Sequence, residues 1–212
     1  MTILVVGDER NLQECQQKFG SEFSYQHIFE RTQVGDFLKD EFVVFDFQDQ
    51  DKTISIYSHH SGVVFLNYSK STLTKSENTR TTFFGFCGLP TFLNREILEV
   101  CTTNEADLKI LKDVCRALKT EFAAVKNQVG LITPRVIGMI INEAYFAAEE
   151  NIASRQDIDL AMKLGTNYPF GPFEWCQKIG VKNVFELLDA VYNSTSDERY
   201  KVCNLLKSEA IG

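Results

Sequence analysis

The sequence predicts two successive units, a parallel-sheet α/β unit and then an all-α unit. Three observations carry that expectation. The first half alternates short, almost wholly apolar runs with helical segments, the pattern of strands buried on both faces and joined by crossovers. The second half has no such runs and instead shows apolar residues at helical spacing between clear start and stop residues. The change falls near Gln128 without a long polar linker, so the expected units are residues 1–128 and 129–212.

In the first unit, Ile3-Leu4-Val5-Val6 followed by Gly7 reads as the opening strand, and Asn11 to Phe19, with Gly20 behind it, as a helix. Phe23 to Phe29, Phe42 to Phe47, Val63 to Leu66 and Thr82 to Phe86 are further strand candidates. Glu105 to Leu118 reads as a helix and Glu121 to Val125 as a last strand.

In the second unit, Thr133 can cap a helix whose first residue is Pro134, where a missing N–H costs nothing. Val136, Ile137, Ile140, Ile141, Ala144 and Ala148 then form an apolar stripe towards Glu150. Ser154 and Asp157 have capping-box spacing for a second helix, with Gly165 as its expected stop. Pro172 can open a third helix and Gly180 can end it.

Composition excludes several classes. Hydrophobic residues make up 44% and charged residues 24%, which is ordinary for a soluble globular chain of 212 residues. A formal net charge of −7 argues against nonspecific binding to nucleic acid or to anionic membranes. No apolar run reaches membrane-spanning length, and Met1 to Gly7 reads as a buried strand and not a signal peptide. The six cysteines, Cys15, Cys87, Cys101, Cys115, Cys176 and Cys203, are scattered and form no CxxC pair. They read as reduced, buried thiols of a cytoplasmic protein, with no metal site.

The stretch from Gly130 to Trp175 resembles the C-terminal domain of the 3-hydroxyacyl-CoA dehydrogenases. The likeness rests on Asn142-Glu143-Ala144, Ala153-Ser154, Asp157-Ile158-Asp159, Ala161-Met162-Lys163-Leu164-Gly165 and Tyr168-Pro169-Phe170-Gly171-Pro172-Phe173-Glu174. The resemblance implies an abbreviated Rossmann-like domain before the helical one, NAD as cofactor, an acyl-CoA substrate from fatty-acid metabolism, and a homodimer paired through the helical domains. The stripe on the Pro134–Glu150 helix, wider than one small helical domain can bury, points to the same dimer.

Laid on that family, the first half departs in two ways. A dinucleotide loop needs G-x-G-x-x-G so that the backbone can turn, approach the pyrophosphate and pack the helix on the sheet. Here the frame is Gly7-Asp8-Glu9-Arg10-Asn11-Leu12, with only the first glycine kept. Asp8 and Glu9 put negative charge where a pyrophosphate would sit, or simply favour the helix dipole. Glu30, after the second strand, stands at the distance of a ribose-binding acid, about twenty residues on. The family's long helical excursion, which helps hold CoA, has no room between Glu30 and Phe42.

The resemblance also sets the catalytic frame. Asn67-Tyr68-Ser69-Lys70-Ser71 is similar to the family's Asn-Thr-Ser-Ser run, and Ser69 takes the place of the serine that bonds the substrate hydroxyl. Ile97-Leu98-Glu99-Val100 matches Leu-Val-Glu-Val, so Glu99 stands where a glutamate orients the catalytic histidine. Cys87 occupies the histidine's own position, and Pro134 that of a substrate-contacting asparagine. A His–Glu pair supplies a base that titrates near the working pH. A cysteine beside a carboxylate does not, and losing such a base typically costs about 10²–10⁴-fold in rate. His27, His59 and His60 are expected to lie away from this frame. The aromatic group Tyr168, Phe170, Phe173 and Trp175 reads as core or interface packing, or as the lining of an acyl tunnel. Lys52, Lys70 and Lys75 are candidate partners for CoA phosphates. Three functions stay open: a working NAD-dependent dehydrogenase, a relative with weak or lost catalysis that binds an acyl-CoA or serves as a subunit of a larger fatty-acid-metabolising complex, and a purely structural dimerisation protein.

Overall fold

The structure is a computed structural model that describes residues 1–37, 42–49, 54–74 and 80–212. It divides into two compact units, Met1–Leu131 and Ile132–Gly212.

The first unit is built on a seven-stranded sheet in the order β2-β1-β3-β4-β5-β6-β7. Its strands are β1 (Thr2–Val6), β2 (Ser24–Ile28), β3 (Phe42–Asp46), β4 (Val63–Asn67), β5 (Thr82–Phe86), β6 (Ile97–Cys101) and β7 (Glu121–Val125). Pairing is parallel throughout except between β5 and β6, which run antiparallel through Gly85 and Cys101. β3 and β4 are buried along their whole length, which is why they read as unbroken apolar runs. β6 does not; Ile97 is exposed and Glu99 half-buried, so its signal is weak and the sequence reading used it only as a landmark.

Helices α1 (Glu9–Phe19), α2 (Val34–Phe37) and α3 (Leu108–Ala117) belong to this unit. Glu105–Asp107, expected as the first turn of α3, is a 3₁₀ turn capped by Asn104. One face of the sheet buries Ile3, Val5, Val43, Phe45, Phe65, Phe84 and Phe86 with Cys15 and Phe19 of α1 and Leu111 and Cys115 of α3. A row of rings crosses three strands: Phe45 stacks on Phe65 at 4.6 Å, and Phe65 meets Phe84 at 5.4 Å.

The second unit holds α4 (Thr133–Glu149), α5 (Arg155–Thr166), α6 (Pro172–Ile179), α7 (Val181–Thr195) and α8 (Asn204–Ile211). Two expected boundaries shift. Thr133 is the first residue of α4 and not its cap, because Ile132 before it is already in the αR region. α5 runs past Gly165 and ends where Asn167 turns left-handed at φ 57°. Ser154 does cap α5, accepting the Asp157 N–H at 3.2 Å, and α6 starts at Pro172 and is followed by Gly180 at φ 97°. Of the predicted stripe, Ile137, Ile141 and Ala144 are buried, whereas Val136 is 51% exposed.

Candidate functional site

Two neighbourhoods lie at the carboxyl ends of the parallel strands, where open α/β sheets place their ligands. The first follows β1, β2 and β3, at the point where the strand order reverses. A cleft of about 300 Å³ is lined there by Gly7, Asp8, Asn11, Glu30 and Gln48, with Phe29 and Phe47 as its apolar walls.

The turn from β1 into α1 is closed by its own side chains. The Asp8 carboxylate accepts the N–H groups of Arg10 at 2.9 Å and Asn11 at 3.0 Å, and the Asn11 side-chain oxygen accepts the Asp8 N–H at 2.8 Å. This is a capping box that uses up donors a pyrophosphate would need. Asn11 also folds against Gly7, where any Cβ would collide with its side-chain oxygen. Leu12, in the third glycine's place, packs against the core. These residues do not fit a dinucleotide pyrophosphate. Glu30 is exposed at the rim, its carboxylate 3.5 Å from the Gln48 amide nitrogen.

Below this cleft is a buried ion pair that sequence reading missed. Arg31 donates to Asp46 at 2.5 and 3.1 Å, and the Tyr57 hydroxyl donates to the same carboxylate at 2.8 Å. Burial pushes the Asp46 carboxyl up and Arg31 pulls it back. The available signal was an acid inside Phe42-Val43-Val44-Phe45-Asp46-Phe47, since a charge buried in an apolar strand must be paired.

The second neighbourhood follows β4 and β5, and it contains Ser69 and Cys87. Its hub is Asn67, the last residue of β4, to which the sequence reading gave no role. The Asn67 side-chain oxygen accepts the Ser69 hydroxyl at 2.9 Å, the Ser69 N–H at 3.3 Å and the Gly88 N–H at 2.9 Å. Its amide nitrogen donates to the Phe47 carbonyl at 3.1 Å and to Asp49 at 3.2 Å. One side chain thus ties together the turns after three strands. Gly88 is needed for this, because a Cβ there would lie 2.8 Å from Asn67. Ser69 is buried, and its hydroxyl is directed into the protein.

Cys87 is buried too. Burial pushes its thiol far above the ordinary range, and the negative charges of Glu99 and Glu14 push it the same way, so it stays protonated at neutral pH. Glu99, half-buried on β6, is therefore within electrostatic reach of Cys87. Pro134 lies in the other unit, in the first turn of α4. His59 and His60 precede β4, at the opposite end of the strand from Ser69, and His27 in β2 bonds the Gly7 carbonyl at 2.9 Å.

Lys70 pairs with Asp49 at 3.0 Å, whereas Lys52 and Lys75 lie outside the described residues. Phe173 and Trp175 are buried in the helical unit, with Tyr168 and Phe170 each 6.1 Å from the Trp175 ring. Among the described residues there is no group of three or more side chains that would hold a metal ion, and no helix long and apolar enough to cross a membrane.

Residues 130–210 match the family profile of the 3-hydroxyacyl-CoA dehydrogenase, C-terminal domain. The 3-hydroxyadipyl-CoA dehydrogenase of Escherichia coli is 43% identical over 82 residues, covering 39% of this chain and 17% of that protein. The mitochondrial hydroxyacyl-coenzyme A dehydrogenase of Mus musculus is 32% identical over 129 residues, 58% of this chain and 41% of the relative. The chain thus spans less than half the length of these curated relatives. Among solved structures, the (S)-3-hydroxybutyryl-CoA dehydrogenase of Ralstonia eutropha has a similar fold, with a TM-score of 0.71 at 19% identity, over 98% of this chain and 92% of that one. Residues 130–210 are thus similar in sequence to the C-terminal domain of the 3-hydroxyacyl-CoA dehydrogenases, and the chain as a whole has a fold similar to that of one of them.

Proposed function

We propose that this chain is a non-catalytic descendant of the dehydrogenases, which binds an acyl-CoA thioester and dimerises through its helical unit without oxidising a substrate. Oxidation of a 3-hydroxyacyl group sends a hydride to the nicotinamide and needs a base for the hydroxyl proton. The observation that carries the reading is Cys87. A buried, protonated thiol stands at the base's position, and the neighbouring Ser69 hydroxyl is spent on Asn67. The thioester class comes from the relatives, whose names specify dehydrogenases of hydroxyacyl-CoA thioesters. The dimer is supported by apolar side chains left exposed on α4 and α5, Val136 at 51%, Leu160 at 52% and Leu164 at 78%.

A second reading, a working NAD-dependent dehydrogenase, is favoured by Ser69 and by Glu99 lying within reach of Cys87. Two measurements separate them. NADH consumption with acetoacetyl-CoA is expected to stay at the uncatalysed rate, and Cys87→His alone to leave it there. Calorimetric titration with acetoacetyl-CoA is expected to show saturable binding. Turnover of about 1 s⁻¹ or more by the unaltered chain, within the range of ordinary enzymes, would sink the non-catalytic reading. Absence of thioester binding would leave only the dimerisation role.

A further inference from the structure

We infer that the Asp8–Asn11 pair closes the phosphate side of the cleft after β1, so that this unit excludes NAD and other nucleotides carrying a diphosphate. The inference is independent of the proposed function, because a non-catalytic protein can still hold NADH as a sensor, and it concerns a different set of residues.

Three features act together. A dinucleotide is held by N–H groups of the first helical turn together with the positive end of the helix dipole. Here the Arg10 and Asn11 N–H groups point at the Asp8 carboxylate, and the Leu12 N–H at the Asp8 carbonyl, 3.3 Å away. The protein has therefore filled its own anion site with an internal anion. Next, the glycine that would let a phosphate approach the backbone is covered. Gly7 lies under the Asn11 side chain, which is locked by its bond to the Asp8 N–H. Finally, the sign of the local charge is wrong for phosphate. Asp8 and Glu9 begin the turn and Glu30 stands at the rim, while Arg31 is turned inward onto Asp46. Arg10 is exposed on the same turn, so its attraction for an anion is screened by solvent. The cleft between Phe29 and Phe47 remains, but only beside a closed turn.

The test is a fluorescence titration with NADH of the unaltered chain, of Asp8→Gly/Asn11→Ala and of Asp8→Asn. Glycine is a tolerable helix cap, so the double variant keeps α1 while freeing the donors and uncovering Gly7. Asparagine keeps the capping oxygen and removes only the charge. The unaltered chain is expected to show no saturation up to about 1 mM NADH, the double variant to gain about tenfold or more, and Asp8→Asn to gain less. ADP-ribose should displace NADH from the variants. Micromolar binding by the unaltered chain overturns the inference. So does a folded Asp8→Asn protein, with native circular dichroism, that gains nothing, and this holds even where the double variant fails to fold.

Discussion

In the helical unit, the residues that carry the family likeness bond to each other and to backbone. Asn142 accepts the Cys203 N–H at 2.9 Å and donates to the Lys201 carbonyl at 3.0 Å. Asp159, buried, caps α6 from the side by accepting the N–H groups of Phe173 at 2.8 Å and Glu174 at 3.1 Å. Gly171 is a glycine because a Cβ would strike that carboxylate, and Glu174 closes the turn by accepting the Gly171 N–H and pairing with Lys163 at 2.7 Å. In the sheet unit the strands are in place, but the positions where the resemblance implies chemistry hold Cys87 and an internally bonded Ser69, and Glu9 and Leu12 stand at two glycine positions of the dinucleotide frame. The family-profile match over residues 130–210 therefore reports scaffold, since those residues have structural work to do. Chemistry depends on the other unit, where a few substitutions at strand ends leave the fold intact.

The largest expected effect tests whether the sheet unit has exchanged a ligand site for internal bonding. Arg31→Met removes the charged partner of a fully buried carboxylate and leaves it the Tyr57 hydroxyl and the Gln48 N–H, and breaking such a pair costs about 3–5 kcal/mol. The sheet unit is expected to unfold at markedly lower denaturant while the helical unit keeps its own transition. A change below about 1 kcal/mol would mean that Asp46 reaches solvent once Arg31 is gone, and that the cleft is less closed than its geometry indicates.

The counterpart in the helical unit is Asp159→Ala. It leaves two donors at the start of α6 without their acceptor, at a cost of about 2–3 kcal/mol. Glu174→Gln, which loses the half-exposed Lys163 pair but can keep the bond to Gly171, should cost less than about 1 kcal/mol. If both variants behave alike, the family-matching residues are not the staples of this unit. Within the sheet unit, Asn67→Ala should cost about 2 kcal/mol by freeing three turns at once, and Ser69→Ala about 1 kcal/mol. For a non-catalytic site, Ser69→Ala has that stability cost and no effect on thioester binding. A fall in binding without loss of stability would return Ser69 to the role the resemblance implies.

Much of this was legible in the sequence where one physical signal dominated. Buried parallel strands announce themselves as runs such as Val63-Val64-Phe65-Leu66, and Pro172 and Gly180 mark α6 because each permits what the chain must do there. Signals failed where two effects competed. Gly165 looks like a stop, yet α5 continues because Asn167 also tolerates the left-handed turn and is better placed to end it. Thr133 looks like a cap, yet Ile132 has already entered helical geometry. For the candidate site, the substituted positions were readable one by one, whereas their consequence was not. That Asn67 is a hub follows from distances between strand ends, which no spacing along the chain encodes, whereas the inward turn of Ser69 and the cover of Asn11 over Gly7 are local contacts whose side-chain geometry alone was hidden.

The thiols give both units a common pH response. Burial raises Cys101 and Cys176 to about 11 and Cys115 to about 12, against an unfolded value near about 8.5. A raised folded value means the native state holds the proton more tightly than the unfolded chain does. The contribution to stability is therefore complete below about pH 8.5 and is lost progressively as pH rises towards 11–12. Denaturation midpoints should fall between pH 9 and 11 in the helical unit, through Cys176, as well as in the sheet unit. A thiol reagent should label none of the six cysteines in the native chain at neutral pH and all six in denaturant. Prompt labelling of Cys87 in the native state would show an open, ionisable site and favour the enzymatic reading.

The smallest effect on the isolated chain is expected on the outer face of α5. Leu164 is 78% exposed, so Leu164→Glu should change monomer stability by no more than about 0.5 kcal/mol. In a two-fold dimer the same change is made twice and sets a carboxylate against an apolar partner surface on each side. Light scattering of the unaltered chain should give about twice 24.2 kDa, and the variant 24.2 kDa with unchanged helicity. Since the residues that match the family profile bond to one another inside the helical unit, the dimer the resemblance implies is the next property of that unit to test. A mass of 24.2 kDa for the unaltered chain would limit that likeness to the interior of the unit and leave its exposed leucines without a partner of their own kind.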